Sequence, residues 1–486
     1  MKNTKQSVFS NLMWRFAERS GAYLVQFVVS IVLARMLGPE TYGTIALVTV
    51  FITILEVFVD SGLGNALIQK KDSDELDFAT VFYTNIVFCM TLYLIIFFCA
   101  PLIANFYNRP ELTALTRVLG LTIVISGVKN IQQAYVSKNM MFKKFFFATL
   151  VGTIGAAVVG ILMAKNGYGV WALVAQQLFN LTVDSIILWI TVKYRPIKAF
   201  SFERLKGLFS YGWKLLASSI IDVVYNNIRQ LVIGKKYSSS DLAFYNKGKQ
   251  IPNIIITNIN SSIDSVLLPT MSKSQDDKEK VKDMTRRAIK TSVFVMAPLM
   301  MGLTFTSNNV ITILLTDKWI SCVPYLCIFC ITSMFYPIHT SNLNAIKAMG
   351  RSDLFLKLEI IKKVMGITLL IITMNISVMA MAYSLLVSSL LSQIINSWPN
   401  RKLLNYSYFS QLKDILPSIL LATFMGGCVY LVNFLELIPI ITLIIQIILG
   451  AIIYIGLARL LKIDSFEYII DTIKGLRSKK TNVTEN

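Results

Sequence analysis

Charge is scarce in this 486-residue chain. Asp, Glu, Lys and Arg make up 15% of it, against 55% hydrophobic residues. Soluble domains carry about 25% charged and ~45–50% apolar residues, so an ordinary solvated globule is excluded. Acid is scarcer still: 27 acidic residues face 47 basic ones, a net charge of +20. Histidine occurs once, as His339 in "YPIHTS", and reads as a hydrogen-bonded structural residue rather than a proton relay. There are six cysteines, at 89, 99, 322, 327, 330 and 428, all inside apolar blocks. Cys327 and Cys330 form a CxxC, but no second pair or nearby histidine completes a zinc donor set. The six therefore read as small apolar packing residues. After Lys2 and Lys5 no short apolar core leads to a small-residue cleavage site, so the N-terminus does not read as a removable signal.

What is abundant is apolar residues in long blocks, such as "TNIVFCMTLYLIIFFCAPLIANF" and "IPIITLIIQIILGAIIYIGLARLL". Blocks of about 20 apolar residues match a bilayer core, whereas a membrane β-barrel would show ~10-residue alternating segments. The expected fold is an all-α polytopic membrane protein with about fourteen transmembrane helices. They fall near 10–37, 42–69, 79–106, 112–137, 144–165, 168–192, 208–234, 241–269, 288–315, 320–348, 354–375, 377–397, 414–434 and 437–461. No loop is long enough for a folded soluble domain, and "SKSQDDKEKVKDMTRR" reads as a solvated amphipathic helix between the eighth and ninth spans. Trp14, Trp213 and Trp319 sit like interfacial anchors.

Lys and Arg concentrate in alternate loops. One set includes Lys70 and Lys71, Lys143 and Lys144, Arg204 and Lys206, and Arg286 and Arg287; the other has only Arg109, Lys165, Lys235, Lys236 and Lys318. The basic set marks the cytoplasmic side and places both termini there. "MWRFAERSGAYLVQFVVSIVLA" also resembles "GWKLLASSIIDVVYNNIRQLVI" some 200 residues later. That makes a parallel repeat: one six-helix lobe over 1–206, a second over 207–400, two further helices over 401–462 and a cytoplasmic tail over 463–486. Such repeats place a shared cavity between lobes.

Four spans carry a narrow polar face at steps of three or four residues, the period of a helix. The first has Arg15, Arg19, Tyr23, Gln26 and Ser30; the second Thr49, Thr53, Glu56 and Asp60. The seventh has Lys214, Ser218, Asp222, Tyr225 and Arg229; the eighth Asn246, Lys249, Asn253, Thr257, Asn260 and Asp264. A charge at the bilayer centre costs ~2.5–3.5 kcal/mol on insertion scales, and lipid cannot satisfy these groups. The faces are read as the lining of a hydrated cavity. Pairing within the set, such as Arg15 or Arg19 with Asp60 and Lys214 with Asp264, is the bland alternative. It does not consume the cations, because Arg35, Arg117, Lys129, Lys290, Lys347, Lys357, Lys362 and Lys363 face few in-span acids beyond Asp184 and Glu359. Surplus cation favours an anionic ligand. The binding candidates are Arg15, Arg19, Gln26, Lys129, Lys214, Tyr225, Arg229, Lys249 and Asn253. Glu56, Asp60, Asp222 and Asp264 are the candidates for gating or for coupling to Na⁺ or H⁺. No metal site and no other cofactor is expected.

"LARMLGPETYG", "DSGLGNALIQKKD", "FSYGWKL" and "TDKWISCVPYLCIF" occur in that order. With the length and span count, they make the chain similar to the polysaccharide transporter branch of the multidrug/oligosaccharidyl-lipid/polysaccharide (MOP) exporters. The likeness is to Wzx-type O-antigen and colanic acid flippases. The resemblance implies two six-helix lobes, alternating access and a bacterial inner-membrane location. It implies a cargo of undecaprenyl-diphosphate-linked oligosaccharide for O-antigen, capsule or exopolysaccharide, and no enzymatic activity. It also places Arg15, Arg19 and Lys214 at positions comparable to the cavity arginines of lipid II flippases. Against it stand a drug or cation antiporter of the same superfamily, which would need an acid-rich cavity, and an oligosaccharide polymerase or ligase, which would need a large outer loop or a catalytic cluster.

Overall fold

The computed structural model describes residues 21, 24–60, 63–472 and 474, with the backbone alone at Asp60 and Tyr211. The described chain is helical apart from short connections and falls into two compact units, Met1–Ala243 and Phe244–Asn486.

In the first unit α1 (Leu24–Met36) is followed by α2 (Pro39–Asp60), α3 (Leu63–Gln69), α4 (Glu75–Tyr107), α5 (Leu112–Leu119), α6 (Leu121–Lys138), α7 (Phe142–Lys165), α8 (Val170–Thr191) and α9 (Phe202–Lys236). Polar side chains set the starts. Asp74 accepts the Asp77 amide at 2.9 Å while Asp77 accepts the Asp74 amide at 3.1 Å, a capping box that opens α4. Ser201 caps α9 through the Arg204 amide. Small residues let α7 approach α8: a Cβ at Gly152 would lie 3.0 Å from the Asn180 carbonyl, and Ala156 and Gly160 continue the stripe in buried positions. Tyr135 stacks on Tyr194, and Phe78 meets both rings at an angle, in a core that includes Leu67, Ile131 and Leu188.

The second unit contains most of α10 (Ser239–Ser272), then α11 (Lys278–Phe305), α12 (Ser307–Leu315), α13 (Val323–Met334), α14 (Tyr336–Ala348), α15 (Ser352–Thr373), α16 (Val378–Leu403), α17 (Tyr408–Leu431) and α18 (Pro439–Leu460). Helix α11 packs on α13, α14 and α17, and α17 on α18. Buried amides weld this unit. Asn342 and Gln411 exchange two hydrogen bonds at 2.8 and 3.0 Å, and Asn400 donates to Asn342 at 2.7 Å.

Among the described residues ten helices are long and apolar enough to cross a membrane. The chain is therefore an all-α polytopic membrane protein. The expected first span lies partly outside the described residues, and its described helix, α1, is short. The remaining shortfall against fourteen falls on α9, α10 and α15, which have 35, 34 and 22 residues. At 1.5 Å per residue α9 and α10 are ~50 Å long, well above a ~30 Å bilayer core. Composition, not length, sets them apart.

Two local expectations are corrected. The stretch 273–287 is not a separate amphipathic helix: α10 ends at Ser272, Asp277 caps the Lys280 amide, and the basic residues form the first turns of α11. Trp319 is not an interfacial anchor, since it is fully buried, edge-on to Phe244. Trp213 is half exposed, as an anchor would be.

Candidate functional site

The polar faces predicted on the seventh and eighth spans lie on α9 and α10. On α9, Lys214, Ser218 and Asp222 are exposed, Tyr225 is half-buried and Arg229 is 5% exposed. Lys214 forms no ion pair or hydrogen bond with any described residue, whereas Asp222 and Arg229 are engaged within the chain. On α10, Lys249, Asn253, Thr257 and Asp264 are exposed and Asn260 is buried. Asp264 accepts a hydrogen bond from Asn344 of α14 at 2.7 Å. Glu56 on α2 is half-buried and also engaged. Arg15, Arg19 and Tyr23 lie outside the described residues, as does the side chain of Asp60.

Within the first unit, α1, α3, α6, α7 and α8 enclose a polar pocket of about 490 Å³. It brings Gln26 and Lys129 together, two residues singled out in sequence. It adds amides that were not: Asn65, Gln133 and Asn180. Lys129 is not a free cation, because its ammonium is ion-paired with Asp184 on α8. Both side chains are nearly nine-tenths buried, and the second Asp184 oxygen, Oδ1, has no hydrogen-bond partner. Asn130 forms part of the wall and is fixed there. It donates to the Val59 carbonyl at 3.2 Å and accepts from Asn85 at 3.2 Å. Its Oδ1 lies 2.7 Å from where a Cβ on Gly64 would stand, so any larger residue there would push Asn130 out of place. The side chains of Gln26, Gln133 and Asn180 bond to no described residue. Their signal in sequence is the spacing of Asn130 to Gln133 and of Asn180 to Asp184, one helical turn each.

Other in-span cations also find partners. Arg117 donates to the Phe97 carbonyl at 3.3 Å and lies 4.3 Å from that residue's ring. Lys290 pairs with Asp464 at 2.6 Å, Lys362 with Glu359 at 2.5 Å, and Lys347 lies 4.4 Å from the Phe355 ring. At the starts of α4 and α9, the fully buried Asp77 takes Lys70 at 2.6 Å and Arg204 at 3.5 Å. The Asp77 amide, and then Arg204 beside it, hold the Asp74 carboxyl below the usual carboxylate range. His339 is half-buried between Asn396, at 3.1 Å from Nδ1, and Ser389, at 3.3 Å from Nε2. That is the hydrogen-bonded setting expected of it. Among the described residues no three His, Cys, Asp or Glu side chains converge as metal ligands.

A family profile described as "Polysaccharide biosynthesis protein" matches residues 32–324. The chain belongs to that family. Curated proteins similar to it include the teichuronic acid biosynthesis protein TuaB of Bacillus subtilis, 23% identical and covering 88% of this chain and 89% of that one. The lipopolysaccharide biosynthesis protein WzxC of Escherichia coli is 25% identical over 82% and 79%. The succinoglycan biosynthesis transport protein ExoT of Rhizobium meliloti is 25% identical over 66% and 65%. The fold of this family member is shared with solved transporters. A structure of the lipid II flippase MurJ superposes with a TM-score of 0.74 at 16% identity, covering 93% of this chain and 99% of that one. An inward-facing MATE multidrug transporter of the MOP superfamily gives 0.62 at 15%, over 79% and 94%.

Proposed function

We propose that this protein is a flippase that carries undecaprenyl-diphosphate-linked oligosaccharide from the cytoplasmic to the outer leaflet of a bacterial inner membrane, by alternating access, for surface polysaccharide synthesis. The observation that carries the reading is on α9: a helix long enough to span the bilayer, too polar for lipid, and bearing in Lys214 an exposed cation without a partner among the described residues. An unpaired ammonium on a face that lipid cannot solvate needs water or an anion, and a diphosphate is a compact multiple anion. Lys249 and Asn253 on α10, with Tyr225 on α9, supply further charge and hydroxyl-bonding groups. Arg15, Arg19 and Arg229 complete the proposed cationic set, and Asp60, Asp222, Glu56 and Asp264 the acids available for Na⁺ or H⁺ coupling. The proposed lobes are 1–206 and 207–400, with 401–462 as appended helices and both termini cytoplasmic.

Polysaccharide-linked relatives support this cargo, while the fold alone does not choose between it and a drug. A drug or cation antiporter calls for an acid-rich cavity, and Asp184, the acid of the pocket walled by α1, α3, α6, α7 and α8, is met by Lys129. A polymerase or ligase calls for a large loop, and the longest connection between described helices is 192–201.

The test is complementation of a deletion strain with Lys214→Ala and Arg15→Ala. Each variant is expected to remain in the membrane, to abolish surface polysaccharide and to leave lipid-linked oligosaccharide on the inner leaflet. Normal polysaccharide from both variants would sink the reading.

A further inference from the structure

The pocket in the first unit differs in chemistry from the cationic face of α9. A lysine and an aspartate both line it, and they neutralise each other. A cation entering would meet the Lys129 ammonium, and an anion would meet the Asp184 carboxylate. Neither charge is favoured there, but a neutral group with both donors and acceptors is. The groups left over suit such a ligand. Gln26, Gln133 and Asn180 each present an amide that bonds to no described residue, and every amide offers two donors and an acceptor oxygen. A volume of about 490 Å³ lies within the ordinary range of small-ligand pockets, ~300–1,000 Å³.

The walls are also held in place. Asn130 is tied to two helices, and Gly64 and Gly152 sit where any Cβ would crowd Asn130 or Asn180. Such fixing keeps binding groups in position before the ligand arrives and lowers the ordering cost of binding.

We propose that the pocket walled by α1, α3, α6, α7 and α8 is a binding subsite for one uncharged sugar unit of the cargo. The proposal rests on the flippase reading and moves Lys129 from gripping phosphate to completing a neutral, polyhydroxyl-binding surface. Phosphate recognition is then left to α9, and sugar selection to this pocket.

The full-length protein, purified in detergent, is examined by saturation-transfer NMR. The probes are the methyl pyranosides of glucose, galactose, mannose, rhamnose and N-acetylglucosamine. At least one pyranoside is expected to bind, and to bind about tenfold more weakly to both Asn180→Ala and Gln133→Ala, the loss of one to two hydrogen bonds. Sodium chloride and inorganic pyrophosphate are expected not to displace it. Neither amide bonds to a described residue, so neither truncation removes an internal hydrogen bond seen here, and size exclusion checks each fold. Should one variant elute aberrantly, the other decides. Binding of no pyranoside by the wild type, equal binding by the folded variants, or displacement by sodium or pyrophosphate overturns the proposal. Pyrophosphate binding, and its loss in Lys214→Ala, is read separately. A protein that holds a pyranoside but no pyrophosphate retains the pocket and refutes the diphosphate grip, and the converse result does the opposite.

Discussion

Lys129 shows how a charge changes meaning once its neighbours are known. In sequence it is one more cation in a surplus; in the structure its ammonium is matched by Asp184 on another helix. Removing one partner of a buried pair leaves the other uncompensated, at a cost of about 3–5 kcal/mol. Lys129→Met is therefore expected to lower the melting temperature sharply in detergent. Lys129→Met with Asp184→Asn is expected to recover most of the loss. A double variant no more stable than the single one would deny the pair its role. Lys214 is the opposite case. It is exposed and unpartnered among the described residues, so Lys214→Ala is expected to leave the unfolding free energy within ~0.5 kcal/mol of wild type while abolishing export. The polar period on α9 made Lys214 visible in sequence, because period is local. No local pattern could reveal that Trp319 is buried or that Lys129 is neutralised.

Helices α9 and α10 are too polar for lipid along faces that the 3.6-residue period already exposed, and the structure keeps Lys214, Lys249, Asn253 and Asp264 at the surface of their units. Their neighbours are set by close approach. A Cβ on Gly43 of α2 would land on the Ser239 carbonyl at the start of α10, and backbone cannot yield as a side-chain tip can. Gly43→Ala is expected to reduce the amount of folded protein recovered from membranes, measured by monodisperse elution, and wild-type recovery would show that the contact is not needed. The N-terminal half of α11 is fastened by a paired Arg286–Asp414 bridge and by Lys290–Asp464. The hydrogen bond from Lys290, and then its charge, hold the Asp464 carboxyl below its ordinary value. A carboxyl depressed on folding stabilises above its unfolded pKa of about 4 and loses that contribution as pH falls through the lower folded value. Asp464→Asn should therefore melt lower than wild type at neutral pH, with the gap closing below about pH 4. A gap that persists in acid would assign the effect to something other than the charge.

For the molecule as a membrane protein, the sidedness of the loops is the property most easily checked. The loop at 139–141, beside Lys143 and Lys144, is expected in the cytoplasm and the turn at 166–169 outside. Alkaline phosphatase fused after Gly167 should be active, and fused after Met140 inactive; the reverse pattern would invert the topology and with it the proposed direction of transport. The sequence by itself determined the membrane class, the all-helical fold, the order of the spans and the polar faces, because hydropathy and helical period are written in neighbouring residues. Only the tertiary structure decided which charges survive as charges. It also decided that Gln26, Lys129, Gln133, Asn180 and Asp184 line one pocket. Those residues come from helices far apart along the chain, and packing alone brings such groups within bonding distance.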